Sequence, residues 1–280
     1  SPGAELTGLQ FEPNGTMRVS LSAGNEVEAN AVKARLDEQA QWLFDPDRMA
    51  RRLFTLERIC LASIAAQTDP DFRFLVVTSA RLPEGYLRPL QDLCRSVPQA
   101  ELVVTDQTEI GAALRPILRQ AAQATGRPAV QFRLDDDDAV SPGFVAALRR
   151  IEAGARDLPR YALSFPRGIS VMCYSGGAPS FWKTWRPFTG AALAVRLADA
   201  ERSIFVHNHF ELPRRMLAIT EPGMTGHFVT RWDTADSARR GIPKIPWGYE
   251  PLLPGEFNEA VAADFPFLAG IDWDRLAASP

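Results

Sequence analysis

The sequence is poor in cysteine: its 280 residues include three, Cys60, Cys94 and Cys173. They lie far apart and form no CxxC pair, so a disulfide framework is not expected and a reducing compartment suits them better. The chain also lacks an apolar run of about 20 residues, the length that a helix needs to cross a bilayer. Its N-terminus lacks the charged-then-apolar pattern of a secretory signal. We therefore expect a cytoplasmic protein with no membrane span.

An excess of one charge sign is missing as well, because 31 Lys and Arg residues nearly balance 34 Asp and Glu residues and give a net charge of -3. This balance argues against a general nucleic-acid binder and against a membrane-surface protein. Apolar residues make up 46% of the chain. That content is enough to bury a core, either in one large domain or in two halves that share a sheet.

The first half of the chain alternates between helical and strand patterns. An amphipathic helix is predicted from Asp45, a good N-cap, to about Gln67. Strands are predicted at residues 72–78, 101–105 and 129–134, with helices between them. This alternation is typical of an α/β fold with a Rossmann-type, mostly parallel sheet.

Beyond residue 154 the pattern changes. Residues 161–165 and 169–175 predict an antiparallel hairpin, because Pro166, Arg167 and Gly168 provide a turn between two apolar runs. The sequence therefore predicts a Rossmann-like half at residues 1–140 and a smaller α+β half at residues 141–280, both within one domain.

Four consecutive aspartates, residues 135–138, stand between a predicted strand and a predicted helix. In open α/β sheets, ligands bind at the carboxyl ends of the strands, and metal ions and phosphates are common among these ligands. A solvated acidic loop is the simpler interpretation of such a run. The strand before it and the helix after it favour a cation site, because adjacent carboxylates repel one another and a bound cation would offset that repulsion.

All three histidines, His207, His209 and His227, fall in one window of the second half. Each of them taken alone would more often be a structural, hydrogen-bonded histidine than a ligand. The same window contains Glu211, which could act as a base or form a salt bridge, and the arginine pair at residues 214–215, which suits phosphate.

These patterns together resemble a known family. The aspartates, followed by three residues and Pro142, match the DxD element of GT-A glycosyltransferases with a family 2-like spacing. In addition, the segments WLFDPDRM (42–49), QTDPDF (67–72), TSARLP (78–83) and LPRRM (212–216) are similar to a bacterial rhamnosyltransferase family. The resemblance covers residues 42–237 and implies a GT-A-like fold, with a nucleotide-sugar-binding half at residues 1–140 and an acceptor-binding half at residues 141–280.

The resemblance also implies roles for individual residues. Asp137, with Asp135, would bind Mn²⁺ or Mg²⁺, hard cations that carboxylates suit. Asp135 and Asp136 would face the ribose or the sugar, and Ser79 and Arg133 would line the donor pocket. The implied partners are a nucleotide-sugar donor and a glycan or lipid-linked acceptor.

A carboxylate must also take the proton of the acceptor hydroxyl, and Glu211 is the first candidate for this base, with Asp236 second. In the family a histidine often precedes the Asp-Ser element, a position that Trp232-Asp233 occupies in this chain. His227 is the nearest histidine and therefore the candidate for the third metal ligand.

Two other classes of function remain open. A metal-dependent nucleotidyltransferase or phosphotransferase could use the same aspartates, although the sequence has no phosphate loop of the GxxxxGK type. A non-catalytic carbohydrate-binding protein could have retained the GT-A fold without its activity.

Overall fold

The computed structural model describes residues 10–11, 17–18, 44–107, 109–174, 177–232 and 245–278. The strands are β1 (Gln10–Phe11), β2 (Met17–Arg18), β3 (Phe74–Ser79), β4 (Ala100–Thr105), β5 (Val130–Arg133), β6 (Asp138–Val140), β7 (Tyr161–Ser164), β8 (Arg167–Cys173), β9 (Ser180–Trp185), β10 (Leu193–Arg196), β11 (Leu217–Thr220), β12 (Thr225–Trp232) and β13 (Tyr249–Leu252). The α-helices are α1 (Pro46–Thr55), α2 (Ala62–Ala65), α3 (Glu84–Ser96), α4 (Ile110–Thr125), α5 (Phe144–Gly154), α6 (Leu212–Arg215), α7 (Pro254–Asp264) and α8 (Trp273–Ala278).

The helix predicted at residues 45–67 is present. Asp45 caps its first turn, because its side chain accepts hydrogen bonds from the backbone N–H groups of Asp47 and Arg48. The helix runs through α1, a π-helical segment (Leu56–Leu61) and α2. π-Helical turns often occur at functional sites, and two residues of this one, Leu56 and Cys60, line the cleft described below.

The strands form mixed sheets. β3 and β4 pair in parallel. A four-stranded sheet has the order β11-β7-β10-β5, and a five-stranded sheet has the order β13-β9-β8-β12-β6. Within these, β11 with β7 and β12 with β8 are parallel, and the other pairs are antiparallel. The α/β class is confirmed, and the fold is compatible with a Rossmann-like glycosyltransferase; its strand pairing is more mixed than expected.

The hairpin predicted at residues 161–175 is wrong. β7 pairs with β10 and β11, whereas β8 pairs with β9 and β12, so the two strands belong to different sheets. Of the two residues between them, Phe165 is fully buried and packs against Phe144 with ring centroids 5.0 Å apart. Because this ring is drawn into the core, the chain passes from one sheet to the other instead of reversing.

Each of the two larger sheets contains strands from both predicted halves of the chain. β5 pairs with β10, and β6 pairs with β12. The acid run lies between β5 and β6, so it connects the two sheets. In the part of the chain that the structure describes, no helix is long and apolar enough to cross a membrane.

Candidate active site

The four aspartates divide between a turn and a strand. β5 ends at Arg133, and the turn that follows closes with a hydrogen bond from the backbone N–H of Asp138 to the carbonyl of Asp135, 3.2 Å. Asp138 begins β6 and is buried. The helix that follows, α5, begins at Phe144 with Gly143 as its N-cap. The run thus presents three carboxylates on the turn and one inside the sheet.

The turn lies in a cleft of ≈1390 Å³, and all four aspartates contribute to its lining. Opposite charge comes from several elements of the chain. The arginines in the lining include Arg48, Arg51, Arg52, Arg133, Arg186 and Arg231. Two of them form ion pairs with the run: Arg52 Nε lies 2.6 Å from Asp136 Oδ2, and Arg133 Nη2 lies 3.0 Å from Asp135 Oδ1. These contacts hold the first two carboxylates of the turn in place.

Thr230 in β12 fastens the turn from the other side. Its hydroxyl donates to the Asp137 carbonyl over 2.6 Å and accepts from Trp232 Nε1 over 2.8 Å. Its backbone N–H donates to Asp138 Oδ1 over 3.3 Å. Neither Arg52 nor Thr230 was predicted from the sequence. The only local signal for Arg52 is the basic run on α1, and Thr230 could be recognised only after the pairing of β6 with β12 was known.

Burial and mutual repulsion both act on the carboxylates of the run. Burial raises the pKa of Asp137 above its usual range, and repulsion from Asp136 and Asp135 raises it further, while Arg52 opposes the rise. Burial and the neighbouring carboxylates, Asp137 first, also raise the pKa of Asp138. Asp137 makes no ion pair with any of the described residues. A cation at Asp137 would therefore remove an unfavourable interaction that the two arginines leave in place.

The donor set fits a hard divalent cation that is only partly enclosed by protein. No group of three or more His, Cys, Asp or Glu side chains able to hold an ion occurs among the described residues. Asp137 and Asp135 could supply two oxygen ligands, and Mg²⁺ is usually bound by one or two carboxylates, with substrate phosphates and water in the other positions. Hence the residues fit Mn²⁺ or Mg²⁺ bound together with a diphosphate, and they do not form a closed protein cage.

Arg133 forms part of the cleft wall. Its side chain is 16% exposed, its guanidinium carbon lies 5.3 Å from the Phe205 ring centroid, and its Nε has no hydrogen-bond partner among the described residues. The backbone of Gly190 approaches closely, since a Cβ there would lie 3.7 Å from the guanidinium. Arg133 thus combines one bonded and one unused donor at the edge of the acid run.

Other predicted residues lie elsewhere. The Ser79 side chain accepts a hydrogen bond from the backbone N–H of Arg81, and Ser79 is not part of the cleft lining. Glu211 is also absent from that lining; its carboxylate forms an ion pair with Arg215, 2.8 Å away on the surface. Asp236 lies outside the described residues. Of the predicted site residues, the structure brings together Arg133 and the three aspartates of the turn.

The three histidines do not form a cluster. His207 and His209 line the cleft, whereas His227 is buried in β12 with Nδ1 3.1 Å from the Phe165 carbonyl and Nε2 3.2 Å from Thr184 Oγ1. Nδ1 must donate to that carbonyl, so Nε2 accepts from the threonine hydroxyl. Both ring nitrogens therefore have protein partners, and the expected role of His227 as third metal ligand does not fit this position.

The buried His227 predicts that stability depends on pH. Burial lowers its pKa from 6.5 to about 4. Because the unfolded chain binds the proton more readily, the stabilisation is complete above pH 6.5 and is lost as the pH falls towards 4, by up to roughly 3 kcal/mol. Urea unfolding of the wild type and of His227→Gln, measured from pH 7 to 4.5, should show a smaller loss in the variant. Parallel losses in the two proteins would contradict the buried neutral imidazole.

Most of the sequence matches a known family. A family described as "Putative rhamnosyl transferase" matches residues 14–244, which is most of the chain. The chain belongs to this family. The resemblance predicted from the sequence is thereby confirmed. Comparison with curated proteins finds no match.

Membership of the rhamnosyl transferase family identifies glycosyl transfer as the class of activity. Such a reaction implies a nucleotide-sugar donor and a sugar acceptor. The acid turn and the cleft around it lie within the matched residues, so the site described above belongs to the part of the chain that defines the family.

Proposed function

We propose that this chain transfers a sugar from a nucleotide-sugar donor to a hydroxyl of a glycan or lipid-linked acceptor, with the help of Mn²⁺ or Mg²⁺ at Asp137 and Asp135. One observation carries the proposal: Asp137 lies in the cleft directly after two carboxylates that have arginine partners, and it has no ion-pair partner among the described residues. A cation there would neutralise the charge that develops on a departing nucleoside diphosphate.

On the donor side, the chain's own residues would bind and orient the sugar nucleotide. Asp135 and Asp136 remain the candidates for contacts to the ribose or the sugar, and their arginine partners restrict both side chains to one position. The unused Nε of Arg133 is a donor for a phosphate or sugar oxygen. Pre-organised contacts of this kind lower the entropic cost of binding the donor.

On the acceptor side, the base remains a prediction. The ion pair of Glu211 with Arg215, outside the cleft lining, argues against the first candidate. Asp236 is the remaining candidate and follows β12, the strand that fastens the acid turn through Thr230. Transfer would require its carboxylate to take the proton of the attacking hydroxyl.

Metal-dependent nucleotide binding tests the proposal. We expect dTDP, UDP or GDP to raise the melting temperature in the presence of Mn²⁺, since a ligand at 100 times its dissociation constant stabilises a protein by about 2.7 kcal/mol. EDTA should abolish the shift. Stabilisation that is equal with and without the metal, or absent with all three nucleotides, would contradict the proposed site.

Product analysis separates the proposal from its alternatives. Release of a nucleoside diphosphate from a sugar nucleotide, with rhamnose as the first sugar to test, is expected of a glycosyltransferase. A nucleotidyltransferase would instead transfer the nucleoside monophosphate and release a sugar phosphate, and a phosphotransferase would transfer the sugar phosphate and release a nucleoside monophosphate. A carbohydrate-binding protein without activity would release neither.

A further inference from the structure

A cluster of aromatic rings surrounds Arg186 at the edge of the cleft. The guanidinium carbon lies 5.8 Å from the ring centroids of Phe210 and of Trp247, and 5.9 Å from that of Tyr249. We call these four residues the Arg186 surface. Arg186 and Phe210 also line the cleft that contains the aspartates, so the surface is continuous with the candidate active site.

Two of its rings are exposed although they are large and apolar: Phe210 is 49% and Trp247 is 65% exposed. At or next to each of these two residues, the backbone makes a hydrogen bond. Asn208 Oδ1 accepts a hydrogen bond from the Phe210 N–H over 3.1 Å. Next to Trp247, Gly248 has φ +77°, a conformation that suits glycine, and its carbonyl accepts from the Trp185 N–H over 2.7 Å. Exposed aromatic rings beside a cleft, on backbone that is hydrogen-bonded, indicate a binding surface.

The polar group of the surface indicates the chemistry of the ligand. Arg186 Nε is buried and has no hydrogen-bond partner in the described part of the chain. A buried donor without a partner is costly, so a ligand that supplies an oxygen would be favoured. The rings already surround a cation, and a cationic ligand would therefore be repelled.

A pyranose meets both requirements, because one face of the ring presents apolar C–H groups and its edge presents hydroxyl oxygens. The C–H face can stack on an aromatic ring while a hydroxyl accepts from a guanidinium N–H. We propose that the Arg186 surface binds a sugar ring of the acceptor, with Phe210 and Trp247 as the stacking platform and Arg186 as the hydrogen-bond donor. Its designation as an acceptor subsite rests on the glycosyl transfer proposed above.

Ligand-observed saturation-transfer NMR tests this assignment on the full chain, with methyl α-rhamnopyranoside, methyl β-glucopyranoside and maltotriose as separate probes. We expect at least one probe to bind the wild type, and Phe210→Ala and Trp247→Ala each to bind it roughly 3- to 10-fold more weakly, the range of one aromatic contact. Trp185→Ala is the matched control, because Trp185 is 49% exposed but its ring is not one of the three that surround Arg186. It should bind like the wild type.

The Mn²⁺-dependent nucleotide shift, measured on the same proteins, keeps the two proposals apart. It should be unchanged in Phe210→Ala and Trp247→Ala. Absence of binding by all three probes, equal binding by the wild type and both variants, or an equal loss in Trp185→Ala would overturn the sugar surface and leave the donor site intact. If probe binding depends on Phe210 and Trp247 but no nucleotide shift occurs, the sugar surface is supported and its acceptor role is overturned.

Discussion

Replacement of Asp137 by asparagine is expected to abolish Mn²⁺-dependent nucleotide binding and to lower transfer activity by roughly 10²- to 10³-fold, the usual effect of losing one group that stabilises developing charge. The amide keeps the size of the side chain but carries no negative charge, and a neutral amide oxygen is a weaker ligand for a hard cation. Thermal shift with and without Mn²⁺ measures binding, and release of nucleoside diphosphate measures activity.

The same replacement should stabilise the protein without ligand. Burial and the neighbouring carboxylates raise the pKa of Asp137, so its charged form opposes folding at neutral pH. A neutral side chain removes that repulsion, and the melting temperature should rise by about 2–4 °C for each kcal/mol regained. Asp71→Asn is the control, because Asp71 also lines the cleft but its side chain is 93% exposed. Loss of stability together with loss of binding in Asp137→Asn would point to a structural role.

Gly168→Ala should be among the most destabilising single substitutions in the chain, at a cost of about 3 kcal/mol, the upper range for overpacking a core. Gly168 lies in β8, opposite His227 in β12 and Thr184 in β9. A Cβ at this position would overlap the His227 ring. That ring is fixed by its hydrogen bonds to Phe165 and Thr184 and cannot move aside. Urea unfolding at pH 7 measures the loss.

A double-mutant cycle identifies the cause. In a His227→Ala background the added methyl group has room, so the cost of Gly168→Ala should fall by at least about 1 kcal/mol, a coupling typical of residues in contact. Gly85→Ala is the matched control: Gly85 lies in α3, a Cβ there would meet no atom within 4 Å, and the change should be within about 0.5 kcal/mol or stabilising. Additive effects of Gly168→Ala and His227→Ala would show that the overlap is not the cause.

The local elements of the first half could be predicted from the sequence. The apolar positions of the helix that Asp45 caps, and the short apolar runs that became β3, β4 and β5, depend on periodicity within a few residues. Strand partners could not be predicted in this way. β7 and β8 are separated by two residues but pair with strands far along the chain. A turn signal shows that the chain changes direction, and burial of Phe165 decides which sheet the next strand joins.

The site was predictable to the same extent. The acid run is contiguous, so its position at the end of a strand could be recognised from residues 129–144 alone. Its partners are distant in sequence: Arg52 is 84 residues from Asp136, and Thr230 is 93 residues from Asp137. For the histidines, closeness in the sequence did not predict closeness in space. They are close in sequence, but the inward side of β12 buries His227 away from His207 and His209.

The pairing of strands that are distant in the sequence limits how this chain can be divided. Each strand that flanks the aspartates is hydrogen-bonded to a strand at least 60 residues further on, β5 to β10 and β6 to β12. A fragment ending after residue 140 would expose the free edges of both strands, and such edges promote aggregation. Engineering that exchanges segments between relatives should therefore place its crossover points outside residues 130–252, so that every strand of the two larger sheets is inherited together with its partners.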